Sequence, residues 1–196
     1  LIGAVFIGRY RIDFSRETMA ADSFFWQLFF RVRLPRVLLG LLAGAGLAIS
    51  GLAMQTIFRN PLADSGIIGV SQGAGFGAAL GILLFGTYLP LVQISAFVFS
   101  LLALALTILL SSEIGRGKIL PLVLSGIAVS ALFSSGLGMI KYLADPVNQL
   151  PNIVFWLLGS LSTTNWGTLI RTSLLIIPLL LFFYAYRWRL NIHSLD

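Results

Sequence analysis

The sequence predicts an all-α fold, a polytopic transmembrane helical bundle, and three observations predict it. Of 196 residues, 58% are hydrophobic and only 10% charged, where a water-soluble domain carries about 25% charged residues. Residues 37–58 hold no charge over 22 positions, and at ~1.5 Å of rise per residue a helix of that length crosses the ~30 Å hydrocarbon core of a bilayer. The 13 basic residues stand at the ends of apolar runs, as membrane flanks do, and not along one face as in a nucleic-acid footprint. The expected layout is about five full spans, a truncated first helix and one short helix that does not span.

The chain starts on Leu1, and residues 1–8 are apolar but too short to cross; they read as the tail of a helix begun upstream. Residues 9–30 mix charge with aromatics. The cluster of Phe24, Phe25, Trp26, Phe29 and Phe30 fits an interfacial belt or simple loop packing. RLPR at 33–36 is expected to start a helix, because Pro35 suits a first turn, where its missing N–H costs nothing. Pro61 ends the first span, and Asp64 or Ser65 can cap the next.

Residues 66–112 are again uncharged. That is too long for one crossing, and the turn signal at 86–90 divides it into two spans of about 20 residues. In the first of these, Gly69, Gly73, Gly77 and Gly81 stand four apart and form a groove into which a neighbouring backbone can sink. Gly40 and Gly44, with Ala48, repeat the pattern more loosely in the preceding span, so the two small-residue faces are expected to be mates. Residues 119–140 make the fifth helix of the layout, with Gly126, Ser130, Ser134 and Gly138 four apart; this stripe either lets helices approach or lines a pathway. Residues 153–161 are too few to span. Residues 169–186 make the last crossing, with a bend expected at Pro178.

The charge pattern does not settle orientation. Eight of the 13 basic residues fall on the side holding residues 9–36 and 141–171, and five on the other; literal use of the positive-inside rule would put residues 9–36 in the cytoplasm.

Several chemistries are excluded. There is no cysteine, so no thiolate metal site or thiol nucleophile. No GxxxxGK[ST] loop is present, so nucleotide hydrolysis would have to sit on a separate subunit. The sole histidine, His193, has no ligand cluster around it in sequence; no metal site, cofactor or enzymatic activity is expected. The spans carry no ionisable residue in their middles, unlike ion-coupled carriers.

At 33–75 the chain closely resembles the permeases of FecCD-like ABC importers for iron-siderophores, haem and cobalamin: RLPR, then AGAGLAISG and MQ, then NPLA, then IIGVSQGAG, in that order and spacing. Weaker similarity continues through LVLSGIAVSALF and FWLLGSL. The family's permeases are longer, so the resemblance implies that residues 1–196 are a single permease domain forming the first half of such a chain. It also implies that Arg33 and Arg36 lie outside the cell and dock a substrate-binding protein, against the charge count; the alternative is that they are interfacial anchors. Asn60 and Leu62 match a cytoplasmic gate. Ser125, Ser130 and Ser134 match the helix lining the pathway. Ile119 and Leu120 stand where cobalamin importers carry small hydroxylated residues, which makes cobalamin less favoured. The implied partners are a second permease copy, cytoplasmic ATPase subunits, an extracytoplasmic binding protein and the lipid of the inner membrane, with no nucleic acid. The implied cargo is an iron chelate. The rival readings are an ion-coupled secondary transporter and a non-transporting half-permease remnant.

Overall fold

The computed structural model describes residues 26–61, 63–64, 66–115, 119–162 and 164–193. Phe24, Phe25, Leu62 and Ser65 lie outside these residues. The described residues form six α-helices and no strand: α1 Leu34–Phe58, α2 Val70–Phe85, α3 Leu89–Gly115, α4 Ile119–Leu143, α5 Gln149–Leu158 and α6 Trp166–His193. Four helical stretches, Leu28–Phe58, Leu89–Gly115, Ile119–Leu143 and Trp166–Arg187, are long and apolar enough to cross a membrane. The chain is a polytopic helical membrane protein. Helix α2 has 16 residues, about 24 Å of rise, and is shorter than the full crossing expected there. Residues 66–69 are spent on turns and do not extend it.

These residues fall into two compact units, one built from the described residues up to Ala53 and from Leu161 onward, the other from Met54–Ser160. In the second unit α2 and α3 form an antiparallel pair across the short turn at Gly86 and Tyr88. The glycine stripe is what brings them together. A Cβ on Gly73 would stand 2.6 Å from the Phe99 carbonyl oxygen, one on Gly77 2.5 Å from that of Ser95, and one on Gly81 3.1 Å from Val92 Cα. The Ser95 hydroxyl donates to the Gly77 carbonyl at 2.6 Å. The mate of the stripe is therefore α3, not the preceding span. Gly40 instead meets the Leu161 side chain, and Gly44 has nothing within 4 Å among the described residues.

Above this contact Phe76, Phe99 and Phe133 form a ring cluster with centroids 5.1, 5.5 and 6.4 Å apart, edge-on or tilted as ring quadrupoles prefer. Gly136 of α4 leaves the space that the Phe76 ring occupies. A second cluster joins α2 through α5: Ala78, Ala79, Ile82, Val92, Ala96, Ile140 and Ile153 are buried together. Helix α5 is started by Asp145, whose carbonyl accepts from the amides of Gln149 and Leu150 at 3.0 and 2.9 Å. Its carboxylate takes the Asn148 side-chain amide and the Val147 N–H, both at 2.8 Å. These bonds, Asn148 foremost, hold the Asp145 carboxyl below its ordinary value of 3.8, because they favour the charged form.

The α-helical pattern of α1 starts at Leu34 within RLPR, but RLPR is not where the helical path begins. The chain is already helical at Trp26 and runs through a π-helical stretch, Leu28–Arg33, directly into α1. Pro35 explains the widened turn. In a regular α-helix its ring would clash with the carbonyl four residues back, which its missing N–H would also leave unbonded. The π pattern re-aims these groups, and the Leu34 amide bonds the Phe29 carbonyl. Pro35 itself is fully buried. Pro178 lies inside α6, which continues through it.

Candidate functional site

The first candidate is the arginine end of α1. The uncharged run of residues 37–58 already has the length of a crossing, so the helical turns before it, with Arg31, Arg33 and Arg36, extend past the hydrocarbon. Arg31 is exposed, and Arg33 and Arg36 are half-buried. Arg36 donates from Nε to the Leu161 carbonyl at 3.0 Å and from Nη2 to the Ser162 carbonyl at 2.7 Å. Nearby, the Trp166 indole N–H donates to the Phe30 carbonyl at 2.8 Å. Asn165 caps α6: its Oδ1 accepts from the Thr168 amide at 2.9 Å, the bond an N-cap side chain ordinarily makes. Leu161, Ser162 and Trp166 thus lie along the start of the first helix. The family resemblance named Arg36, but a bond to a carbonyl 125 residues away leaves no local signature.

The second candidate is the turn after α1. Its amides close a Schellman pattern, Asn60 N–H to the Gln55 carbonyl at 3.1 Å and Arg59 N–H to that of Thr56 at 3.3 Å, with the left-handed position occupied by Arg59 at φ 47°. Glycine ordinarily fills that position. Asn60 is exposed, and Gln55 Nε2 donates to the Pro61 carbonyl at 3.0 Å. Leu62, its expected gate companion, lies outside the described residues. Asp64 does not cap α2; its Oδ1 accepts from the Gly66 amide at 2.7 Å, closing a local turn. Helix α2 is entered through Gly69, at φ 78° and without a side-chain cap, a backbone that favours glycine.

Residues 66–69 are held from two sides. The Thr107 hydroxyl of α3, fully buried, donates to the Ile68 carbonyl at 3.0 Å. Gly126 of α4 lies directly under the Ile67 carbonyl oxygen, where any Cβ would collide with it. Thr107 escaped the sequence reading, because one hydroxyl in an apolar helix does not announce its acceptor.

The serines of α4 do not share one open face. Ser125 is 2% exposed, with no hydrogen-bond partner for its hydroxyl among the described residues. Ser130 is half-buried, its Oγ 3.3 Å from where a Gly69 Cβ would stand. Ser134 is exposed. The stripe is therefore packed against the turn at Gly126 and Ser130 and open at Ser134 and Gly138. Among the described residues no group of His, Cys, Asp and Glu side chains is placed to hold a metal ion.

Comparison with known proteins agrees with the helical fold. The profile of the FecCD transport family matches residues 1–196. The molybdate import system permease protein MolB of Haemophilus influenzae is 43% identical over 202 residues, covering 97% of this chain and 59% of the relative. The hemin transport system permease protein HmuU of Yersinia pestis is 37% identical over 184 residues, covering 90% of this chain and 54% of the relative. A solved structure described as an inward-facing conformation of a metal-chelate type ABC transporter superposes with a TM-score of 0.88 at 39% identity, covering 100% of this chain and 60% of that one. The chain thus spans between half and two thirds of the length of these relatives.

Proposed function

Because the chain belongs to the FecCD transport family, we propose that it is part of the transmembrane permease subunit of an ATP-binding-cassette importer in the cytoplasmic membrane. The observation that carries this reading beyond the family match is the absence of Asp, Glu, Lys, Arg and His from residues 37–58, 66–112 and 119–140. Ion-coupled carriers commonly place titratable groups at that depth, and their absence here supports energy supplied from elsewhere, namely ATP hydrolysed by separate subunits. A loaded binding protein docks outside, at the end of α1 that carries Arg33 and Arg36. Two permease copies alternate the access of a pathway between them, with Ser130 and Ser134 on its wall. The turn at Asn60 and Leu62 closes the cytoplasmic end.

The proposed cargo is an iron chelate, a siderophore complex or haem, in keeping with the hemin permease relative. A wall of small, uncharged side chains suits a bulky chelate that must pass without being held. One specific observation favours a second cargo: the relative at 43% identity over 97% of the chain is a molybdate permease. Uptake of radiolabelled iron-siderophore, haem, cobalamin and molybdate by cells carrying the full-length gene with its ATPase and binding protein separates the readings. ATPase-dependent uptake of an iron chelate is the expected result. Molybdate uptake alone would replace the cargo and keep the class, and uptake driven by an ion gradient without ATPase would overturn both.

A further inference from the structure

The arginine pair of the first helix does not do one job. We propose that Arg36 is a positioning residue for docking: it holds a strap, Leu161 and Ser162 with Trp166, against the start of the first helix, so that strap and helix end present one surface to the binding protein. This rests on the docking role proposed above and assigns Arg36 a different part in it from direct charge pairing.

The argument starts from the guanidinium's geometry. Arginine recognises a carboxylate best by a planar fork of two parallel N–H bonds. In Arg36 the Nε and Nη2 donors, one whole edge of the fork, are already bonded to the carbonyls of Leu161 and Ser162 at 3.0 and 2.7 Å. Two successive carbonyls of a loop converging on one cation fix the loop's path. The same strap is pinned at two further points. The Leu161 side chain lies over Gly40, with its Cδ1 3.4 Å from where a Cβ would stand. Trp166 bonds the Phe30 carbonyl at 2.8 Å. Phe30, Arg36 and Gly40 lie at three successive levels along the helix, so the strap is pinned to it at more than one turn.

The strap's far end is secured independently by the Asn165 cap. Its near end, Leu161 and Ser162, is where Arg36 bonds. What the two elements offer together is exposed Trp26, Phe30 and Arg31 beside exposed Leu161, Ser162 and Trp166. Tryptophan and arginine are the side chains that most often carry binding energy at protein interfaces.

Charge and geometry separate the two roles. Lysine at 36 keeps the charge and loses the fork. The full-length permease, assembled with its ATPase in lipid nanodiscs, is titrated with the binding protein as Arg36→Lys and Arg36→Gln, beside Arg33→Lys and Arg33→Gln as the direct-pairing comparison. A positioning role predicts that both Arg36 variants weaken docking by about tenfold, the loss expected for charge-assisted hydrogen bonds, with the salt dependence of docking unchanged. A second arm adds Gly40→Cys and Leu161→Cys to the full-length chain, in which residues 1–196 hold no cysteine and any cysteine elsewhere is first replaced by serine. Bridging them with a short bis-methanethiosulfonate reagent, which forms a disulfide at each cysteine with release of methanesulfinate, restores docking in the Arg36→Gln background to within about twofold. Arg36→Lys binding like the parent, with Arg36→Gln losing both affinity and salt dependence, overturns the proposal; so does a bridge that forms but restores nothing. The bridging yield itself reports the strap and needs no binding protein. It falls in both Arg36 variants if Arg36 holds the strap, and an unchanged yield overturns the proposal. A parent complex that binds no binding protein refutes the docking reading, and the yield still decides the strap.

Discussion

Replacing Gly77 by alanine tests the packing on which α2 and α3 depend. The new Cβ would stand 2.5 Å from the Ser95 carbonyl oxygen and 2.7 Å from Phe99 Cβ, where carbon–oxygen contacts ordinarily begin near ~3.3 Å. Helix α3 must withdraw by roughly 0.8 Å, judged against that contact distance. A shift of this kind in a filled interior costs about 1–3 kcal/mol. It also stretches the 2.6 Å bond from the Ser95 hydroxyl to the Gly77 carbonyl, and interhelical hydrogen bonds in membranes contribute about 0.6 kcal/mol. Alanine returns up to about 1 kcal/mol of helix propensity. The net expectation is a loss of about 1–2 kcal/mol on these terms. Gly138→Ala is the control, because a Cβ there meets nothing within 4 Å and only the propensity gain remains. Equilibrium unfolding of the full-length protein in mixed micelles reads both. If Gly77→Ala is as stable as Gly138→Ala, the glycine stripe is not what sets the separation of α2 and α3.

Arg59→Gly removes a side chain from a left-handed backbone at φ 47° and should stabilise the chain by about 1 kcal/mol; a lower unfolding midpoint would count against the strain. Thr107→Val leaves the part-buried Ile68 carbonyl without its donor and should cost about 1–2 kcal/mol, while Thr107→Ser, which keeps the hydroxyl, should cost less; a loss in Thr107→Ser with none in Thr107→Val would show that the methyl, not the bond, matters. Asp145 has a lowered pKa in the folded chain, so its contribution is fully present above the ordinary value of 3.8 and is lost as pH falls through the lower folded value. Melting temperature against pH should show a step below that ordinary value that Asp145→Asn abolishes, and a step that persists in the variant would assign it to another group.

The apolar runs, the turn at 86–90 and the glycine face of α2 were legible in the sequence, because bilayer thickness and the helical period leave few alternatives. The partner of that face was not. Spacing says which side of a helix is small, but Gly40 and Gly44 offered an equally small side, and only the coordinates show α3 in contact. The short connection from Phe85 to Leu89 was the available signal, since helices joined by so few residues pack as antiparallel neighbours. The start of α2 was misplaced for a different reason. Asp64 has the chemistry of a cap, yet it serves a turn of its own while Gly69 opens the helix. RLPR looked like a helix start because Pro35 favours first turns, but a π-helical stretch gives proline another way to sit inside a running helix. Arg36 was identified by motif and its bonds by structure, and those bonds change what the motif residue is expected to do.

The segment between α1 and α2 is fastened unequally, and this bears on how a gate there would work. At the α2 end, the Ile68 carbonyl is bonded by a fully buried threonine and the Ile67 carbonyl rests on Gly126. Moving that end would strip a part-buried carbonyl of its partner and open a void against α4, each a cost of kcal/mol size. At the α1 end, Arg59, Asn60 and Pro61 are exposed, and the chain reverses through a backbone conformation that arginine holds only under strain. Displacement there disturbs exposed bonds and can release the strain. A gate at Asn60 would therefore pivot about residues 66–69 and swing at residues 59–61, and α3 and α4 would pass any rearrangement to it through Thr107 and Gly126. On this account Gly126→Ala, remote from Asn60 in sequence, should change how fast cargo leaks through a transporter stalled without ATP. Unaltered leakage in a variant shown to assemble would place the pivot elsewhere.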